Sequence, residues 1–221
     1  MNAAALLHLL QFASPALPIG GYSYSQGLEA AIEQGLVTDA ASARAWIGDY
    51  LHLVMATWDA PLLWRLMAAF AGGDIDAVAL WSERFIASRD TFEFRAESIQ
   101  MGYSLVRLVA ELGVADVSQL DDEVALPTAF ACAVAGLAIP PADALAAWLF
   151  SWAENQVLVC VKSIPLGQVA GQRLLLSLRP DIELAAGSAQ TISDADLSNW
   201  APGLSMLSMQ HEVQHGRLYR S

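Results

Sequence analysis

The stretch Asp143–Lys162 places the tightest constraint on the fold. Its only charged residues are Asp143, Glu154 and Lys162, and the remainder is dominated by Leu, Val, Ala, Trp and Phe. As a helix it must bury most of its circumference, so other elements have to pack around it. The rest of the chain offers suitable neighbours: 55% of its 221 residues are hydrophobic, Ala and Leu abound, seven are Trp, and β-branched runs are few. That balance favours helices over sheet. No linker or repeat interrupts it. Residues 1–221 are therefore expected to form a single all-α domain, a bundle of roughly ten helices around one core.

The formal net charge is −12, from 23 acidic and 11 basic residues. The bases are scattered singly, so no cationic stripe exists to neutralise phosphates, and nucleic-acid binding is not expected. An acidic surface suits basic protein partners, or simply solubility. Cys132 and Cys160 sit among apolar residues without paired spacing and read as buried, reduced thiols, which fits the cytoplasm. No basic residue precedes Arg44, unlike the start of a secretory signal. The uncharged run Val124–Ala142 reaches membrane-spanning length, but Pro127, Gly136, Pro140 and Pro141 break it. A buried helix is expected there, and no membrane span.

Ala3–Ala13 is apolar nearly all round, with His8 its one ionisable side chain, and should be buried or grip a partner. A second helix is expected from about Ser25. Thr38 is the expected cap of the next, with Asp39 in its first turn and Ala43–Thr57 continuing it until Asp59 and Pro61 open another. Ile75–Ser88 has apolar residues at helical spacing. In Thr91–Glu111 the polar residues Glu93, Glu97, Gln100, Ser104, Arg107 and Glu111 recur at three- and four-residue steps and read as a solvated face. Gly102 inside that helix costs about 1 kcal/mol relative to Ala, and close approach of another helix would account for it. Gly113–Glu123 reads as a surface loop. Residues 187–203 read as a flexible loop around a short helical piece capped by Ser193.

Two segments carry more than packing. Ser14–Glu29 is too dense in Pro, Gly and hydroxyl residues for an ordinary connector. Pro15 and Pro18 fix φ, Gly20 and Gly21 permit positive φ, and Ser23, Tyr24 and Ser25 can satisfy exposed backbone groups. It is either a shaped loop that positions something or a tight turn with a capping serine. On the apolar helix, Ser151, Glu154, Asn155, Leu158 and Lys162 share one stripe. Lys162 is the sole lysine and stands in the last turns, where complementing the helix dipole is a sufficient account; a polar path or a partner's phosphate or carboxylate is the functional alternative.

His211-Glu212-Val213-Gln214-His215 matches H-E-x-x-H, in which two helical histidines bind zinc and the glutamate acts as general base. A zinc-dependent hydrolase is thus one reading. Against it, Gly216 follows at once, six residues remain, and His8 and His52 are the only other histidines. His211 and His215 stay as weak metal candidates, because imidazoles at helical spacing can take up nickel or zinc adventitiously. No nucleophile, base and orienter can be assembled elsewhere, and no Walker A run is present. No catalytic residue and no cofactor are nominated.

Ser14–Glu29 resembles the signature of the urease accessory protein UreF family. So do Glu93–Gly102 (EFRAESIQMG), Trp152–Gln168 (WAENQVLVCVKSIPLGQ) and Met209–Ser221 (MQHEVQHGRLYRS), in family order. The resemblance implies an all-helical, non-catalytic homodimeric adaptor. It would join the accessory protein UreD (also called UreH) to the GTPase UreG, regulate that GTPase, and support nickel delivery to apo-urease through an interior tunnel. By position it implies partner contacts at Tyr22, at Glu97 and Gln100 of the RAES-x-Q segment, and at Lys162 of VK-x-[IV]-P-L; Glu154, on the same stripe as Lys162, is grouped with them. It implies further contacts through Gln210, His211, Glu212, Arg217, Leu218, Tyr219 and Arg220 of a partner-binding tail, 209–221. His215 and Gly216 depart from the family's usual Tyr-Ser, so the match to a zinc motif reads as accidental. A generic helical adaptor without a metal role is a further alternative.

Overall fold

The computed structural model describes residues 2–121 and 123–221; residue 122, in the expected surface loop 113–123, lies outside the described residues. Among the described residues every regular element is helical, and the fold is all-α. The order is α1 (Ala3–Phe12), α2 (Leu28–Glu33), α3 (Ala40–Tyr50), a π-helical segment (Leu51–Asp59), α4 (Ala60–Gly72), α5 (Ile75–Ala87) and α6 (Phe92–Glu111). There follow α7 (Leu126–Gly136), α8 (Pro141–Ser163), α9 (Gln168–Ser177), α10 (Arg179–Ala189) and α11 (Pro202–Glu212).

Local chemistry explains most of the boundaries. Asn2, Asp74 and Thr91 each accept a backbone N–H of the first turn of α1, α5 and α6. Proline enters the first turn of α7, α8, α10 and α11, where its missing N–H costs nothing. Two expectations shift here. Asp39, not Thr38, caps α3, because Ser42 completes a reciprocal capping box with it. No break occurs at Asp59. The chain passes from α3 through the π-helical turns straight into α4, with Pro61 continuing the helix where a new start was expected. His52 Nε2, 2.8 Å from Asp181 Oδ1, ties this segment to α10, and Arg44 pairs with the same carboxylate.

The centre of the core is α4, whose Leu62, Leu63, Leu66 and Met67 are fully buried; it packs against α5, α7, α8 and α10. The expected central helix, α8, is instead a wall. Leu145, Leu149, Ala153, Val157 and Cys160 face inward while Trp148, Phe150 and Trp152 stay half-buried. It is long and apolar enough to cross a membrane, with mean hydropathy 1.3, but it packs against α2, α3, α4, α9 and α10. Cys132 and Cys160 are buried free thiols, pushed up by burial to about 11 and about 12.

Gly102 explains how α6 and α7 meet. A Cβ there would lie 2.0 Å from the Val124 carbonyl oxygen, so only glycine admits the backbone entering α7. Helix α1 buries Ala5, Leu9 and Phe12 and exposes Leu6, Leu7 and Leu10. The expected loop 187–203 is shorter, because α10 runs on to Ala189, and it is fastened along its length. Arg65 donates to Asp194 Oδ1 (2.6 Å) and the Ile192 carbonyl (2.8 Å), Ser198 N donates to Thr57 O (3.1 Å), and Asn199 Nδ2 donates to Ser88 O (2.8 Å).

Candidate functional site

Three of the four segments singled out in the sequence converge directly, and the fourth reaches them through Trp152 and Asn155. The loop after α1 turns at Gly20, where φ is +80°; Gly21 does not share that conformation and enters a short 3-10 turn with Tyr22 and Ser23. Tyr24 and Ser25 then point inward. The Tyr24 hydroxyl donates to Gln100 Oε1 (2.8 Å), and Asn155 Nδ2 donates to the Tyr24 carbonyl (2.9 Å). Gln26 takes the left-handed conformation unusual for a side-chain-bearing residue, with φ +55°. Its amide is held from both sides: Nε2 donates to Glu97 Oε1 (2.5 Å), and Oε1 accepts from Trp152 Nε1 (2.6 Å).

The tail folds back over this junction. Arg220 N donates to Ser23 O (2.8 Å), Ser25 N donates to Ser221 O (2.7 Å), and the Ser25 hydroxyl donates to the same carbonyl. Tyr219 and Ser221 are buried, whereas Arg217, Leu218 and Arg220 face solvent. The physical reason lies in two glutamates of α2 and α6. Glu29 accepts the backbone N–H groups of Leu218 (2.7 Å) and Tyr219 (3.0 Å). Glu93 Oε1 accepts from Arg217 Nη1 (2.8 Å).

Between those glutamates sits His211, with no exposed side-chain surface. Its Nδ1 is 2.8 Å from Glu93 Oε2 and its Nε2 is 2.9 Å from Glu29 Oε2. Both ring nitrogens therefore face carboxylate oxygens, and the Arg217 guanidinium joins the array from the tail. This corrects two expectations. Glu93 and Glu97 do not belong to a solvated face of α6, because the tail covers them. Nor do His211 and His215 form a helical metal pair: α11 ends at Glu212, His215 lies beyond it, and both nitrogens of His211 are occupied. Among the described residues no cluster of three or more His, Cys, Asp or Glu suits a metal ion.

Glu97 is 4% exposed, and burial pushes its carboxyl up to about 7 despite hydrogen bonds from Gln26 and the Ser221 hydroxyl. It lies on the boundary of two spaces. One is a partly open pocket of about 140 Å³ lined in part by Gln26, Trp152, the exposed Tyr22 and the Asp59–Arg89 pair, which closes at 2.6 Å. The other is a groove of about 340 Å³ lined by Gln100, Glu212, Arg217 and Arg220. Tyr24 and Glu97 line both.

Of the residues singled out in the sequence, Glu97, Gln100, His211, Glu212, Arg217, Leu218, Tyr219 and Arg220 are thus brought together. Tyr22 is 58% exposed in the adjoining loop. Lys162 is exposed at the end of α8 with its ammonium 6.0 Å from the Tyr219 ring centroid. Gln210 points elsewhere, accepting from Gln34 of the loop after α2. Glu154 stands apart, half-buried on α8 with its carboxyl raised by burial. Sequence reasoning missed Glu29, Gln26, Ser221, Asp59 and Arg89. Glu29 closes the Pro- and Gly-rich signature, which was the available signal; the Asp59–Arg89 pair had none.

The UreF family model matches residues 37–179. The urease accessory protein UreF of Janthinobacterium sp. (strain Marseille) is 63% identical over 226 residues, covering 100% of both chains. That of Nitrosospira multiformis is 58% identical over 222 residues (98% of each), and that of Azoarcus sp. (strain BH72) is 50% identical over 224 residues (98% of this chain, 95% of the relative). With a family match over more than half its length and such relatives along all of it, the chain belongs to the UreF family.

Proposed function

We propose that this chain supports urease maturation as a cytoplasmic, non-catalytic homodimeric adaptor. It bridges UreD (UreH) and the GTPase UreG, tunes that GTPase, and so supports insertion of nickel into apo-urease. The observation that carries the reading is the full-length similarity to proteins named urease accessory protein UreF. The site is compatible with it. Exposed Tyr22, Leu218 and Arg220 flank a junction whose interior is locked by hydrogen bonds, an arrangement suited to presenting contact residues on a rigid base. Nickel enters this proposal as cargo. The partly open pocket beside Glu97 is compatible with such a route.

The test is co-purification with the cognate UreD and UreG, followed by size and metal analysis and by activation of apo-urease with GTP and nickel. A stable ternary complex that activates urease is expected. Failure to bind either partner would leave a generic helical adaptor, and hydrolytic activity lost in Glu212→Gln would revive the zinc reading.

A further inference from the structure

The Glu29–His211–Glu93 array has a proton count that its geometry fixes. A neutral imidazole carries one N–H, so one ring nitrogen would present its lone pair to a carboxylate oxygen at 2.8 or 2.9 Å, a repulsive contact in a buried site. The closed arrangement therefore holds one more proton than neutral imidazole between two carboxylates. The same two glutamates are what hold the tail, through Leu218 N, Tyr219 N and Arg217. We propose that this array is a proton-dependent latch: it keeps residues 213–221 closed over the junction while it holds its shared proton and releases them as that proton is lost on raising pH.

The surrounding groups point the same way. From α2 the array faces Glu29, from α6 Glu93 and Glu97, from α11 Glu212, and from the tail Arg217, Tyr219 and Arg220; α8 adds Lys162 and Cys160 near Tyr219. Burial raises Glu93 above the usual carboxylate range, and Glu97 is raised likewise, with Arg89 and Asp59 behind it. Carboxyls raised on folding favour the closed form at lower pH and lose that contribution as pH rises through their folded values. Release would also withdraw the Ser221 hydroxyl from Glu97, the residue shared by the two pockets.

The test is amide hydrogen exchange of residues 217–221 in the full chain from about pH 5.5 to about pH 9, corrected for intrinsic rates, with α4 as internal reference. Tail opening should rise at least about ten-fold more than α4 opening across that range, and this excess should shrink in His211→Gln. A flat tail profile in the wild type would overturn the latch. So would an unchanged pH response in His211→Gln, which would hand the effect to Glu97. Should that variant fail to fold, ring-nitrogen chemical shifts of His211 in the wild type decide: deprotonation has to share its midpoint with tail opening, and deprotonation with the tail still protected overturns the proposal.

Discussion

Glu29 and His211 lie 182 positions apart in sequence and meet at 2.9 Å in the interior. Glu29 gives that contact one oxygen and also accepts two tail amides, so it ties α2, α11 and the tail together. Replacing it with Ala leaves Leu218 N and Tyr219 N without acceptors and the buried His211 ring with one carboxylate partner. Glu29→Ala is expected to cost about 3–5 kcal/mol, the range for breaking one side of a buried pair. Urea unfolding checks this; a loss below about 1 kcal/mol would mean the tail contributes little to the folded state.

The raised carboxyl of Glu97 makes a signed prediction. Its value in the fold, about 7, lies above the ordinary 4.5. The stability it contributes is therefore full below about pH 4.5 and is lost as pH rises through about 7, by about 3 kcal/mol in all. Glu97→Gln removes this contribution at every pH. The stability difference between wild type and variant should shift in favour of the variant as pH rises from 5 to 8. A pH-independent difference would place Glu97 in a more solvated setting than its burial indicates.

Gln156 is fully buried in α8, and neither its amide oxygen nor its nitrogen finds a partner among the described residues. An unpaired amide in the core forfeits its hydration without return. Gln156→Met keeps the length and flexibility of the side chain and removes the polar atoms, and should stabilise the protein by about 1–3 kcal/mol. Thermal unfolding of the two proteins settles it. A destabilised variant would show that the amide is satisfied in solution, by water or by a partner.

What the sequence made legible depended on how local the cause was. The amphipathic pattern of Ile75–Ser88 and the polar spacing of Thr91–Glu111 each lie within one element, and α5 and α6 appear where expected, whereas Pro61 continues a helix already under way. Gly102 could be read as a close-approach position, although only the fold shows that the approaching backbone is that of Val124–Leu126. The π-helical turns between Tyr50 and Ala60 leave no compositional mark and erase the boundary that Asp59 and Pro61 suggested. Glu93 and Glu97 were misread for a deeper reason. Helical spacing shows that they share a face, but a tail more than a hundred residues downstream decides whether that face meets water. The same long-range pairing dissolves the apparent zinc motif, because α11 stops before His215 and two carboxylates occupy His211.

Lys162 was open to two readings, and its position narrows them. It occupies the last turn of α8, is exposed, and sets its ammonium 6.0 Å from the ring of the buried Tyr219. An exposed cation at a helix end contributes about 0.3–1 kcal/mol, and an exposed cation–π contact about 0.5–1 kcal/mol. Lys162→Ala should thus lower stability by no more than about 2 kcal/mol, and Lys162→Arg, which keeps the charge near the ring, should restore most of it. A purely structural lysine predicts that apo-urease activation with UreD, UreG, GTP and nickel is unchanged at a temperature where both variants are folded. A partner-facing lysine predicts loss of activation in Lys162→Ala, with the stability change as small as before. The second outcome is expected, because the ammonium stands exposed beside the same tail that presents Leu218 and Arg220. Wild-type activation by Lys162→Ala would return the residue to its helix-end role.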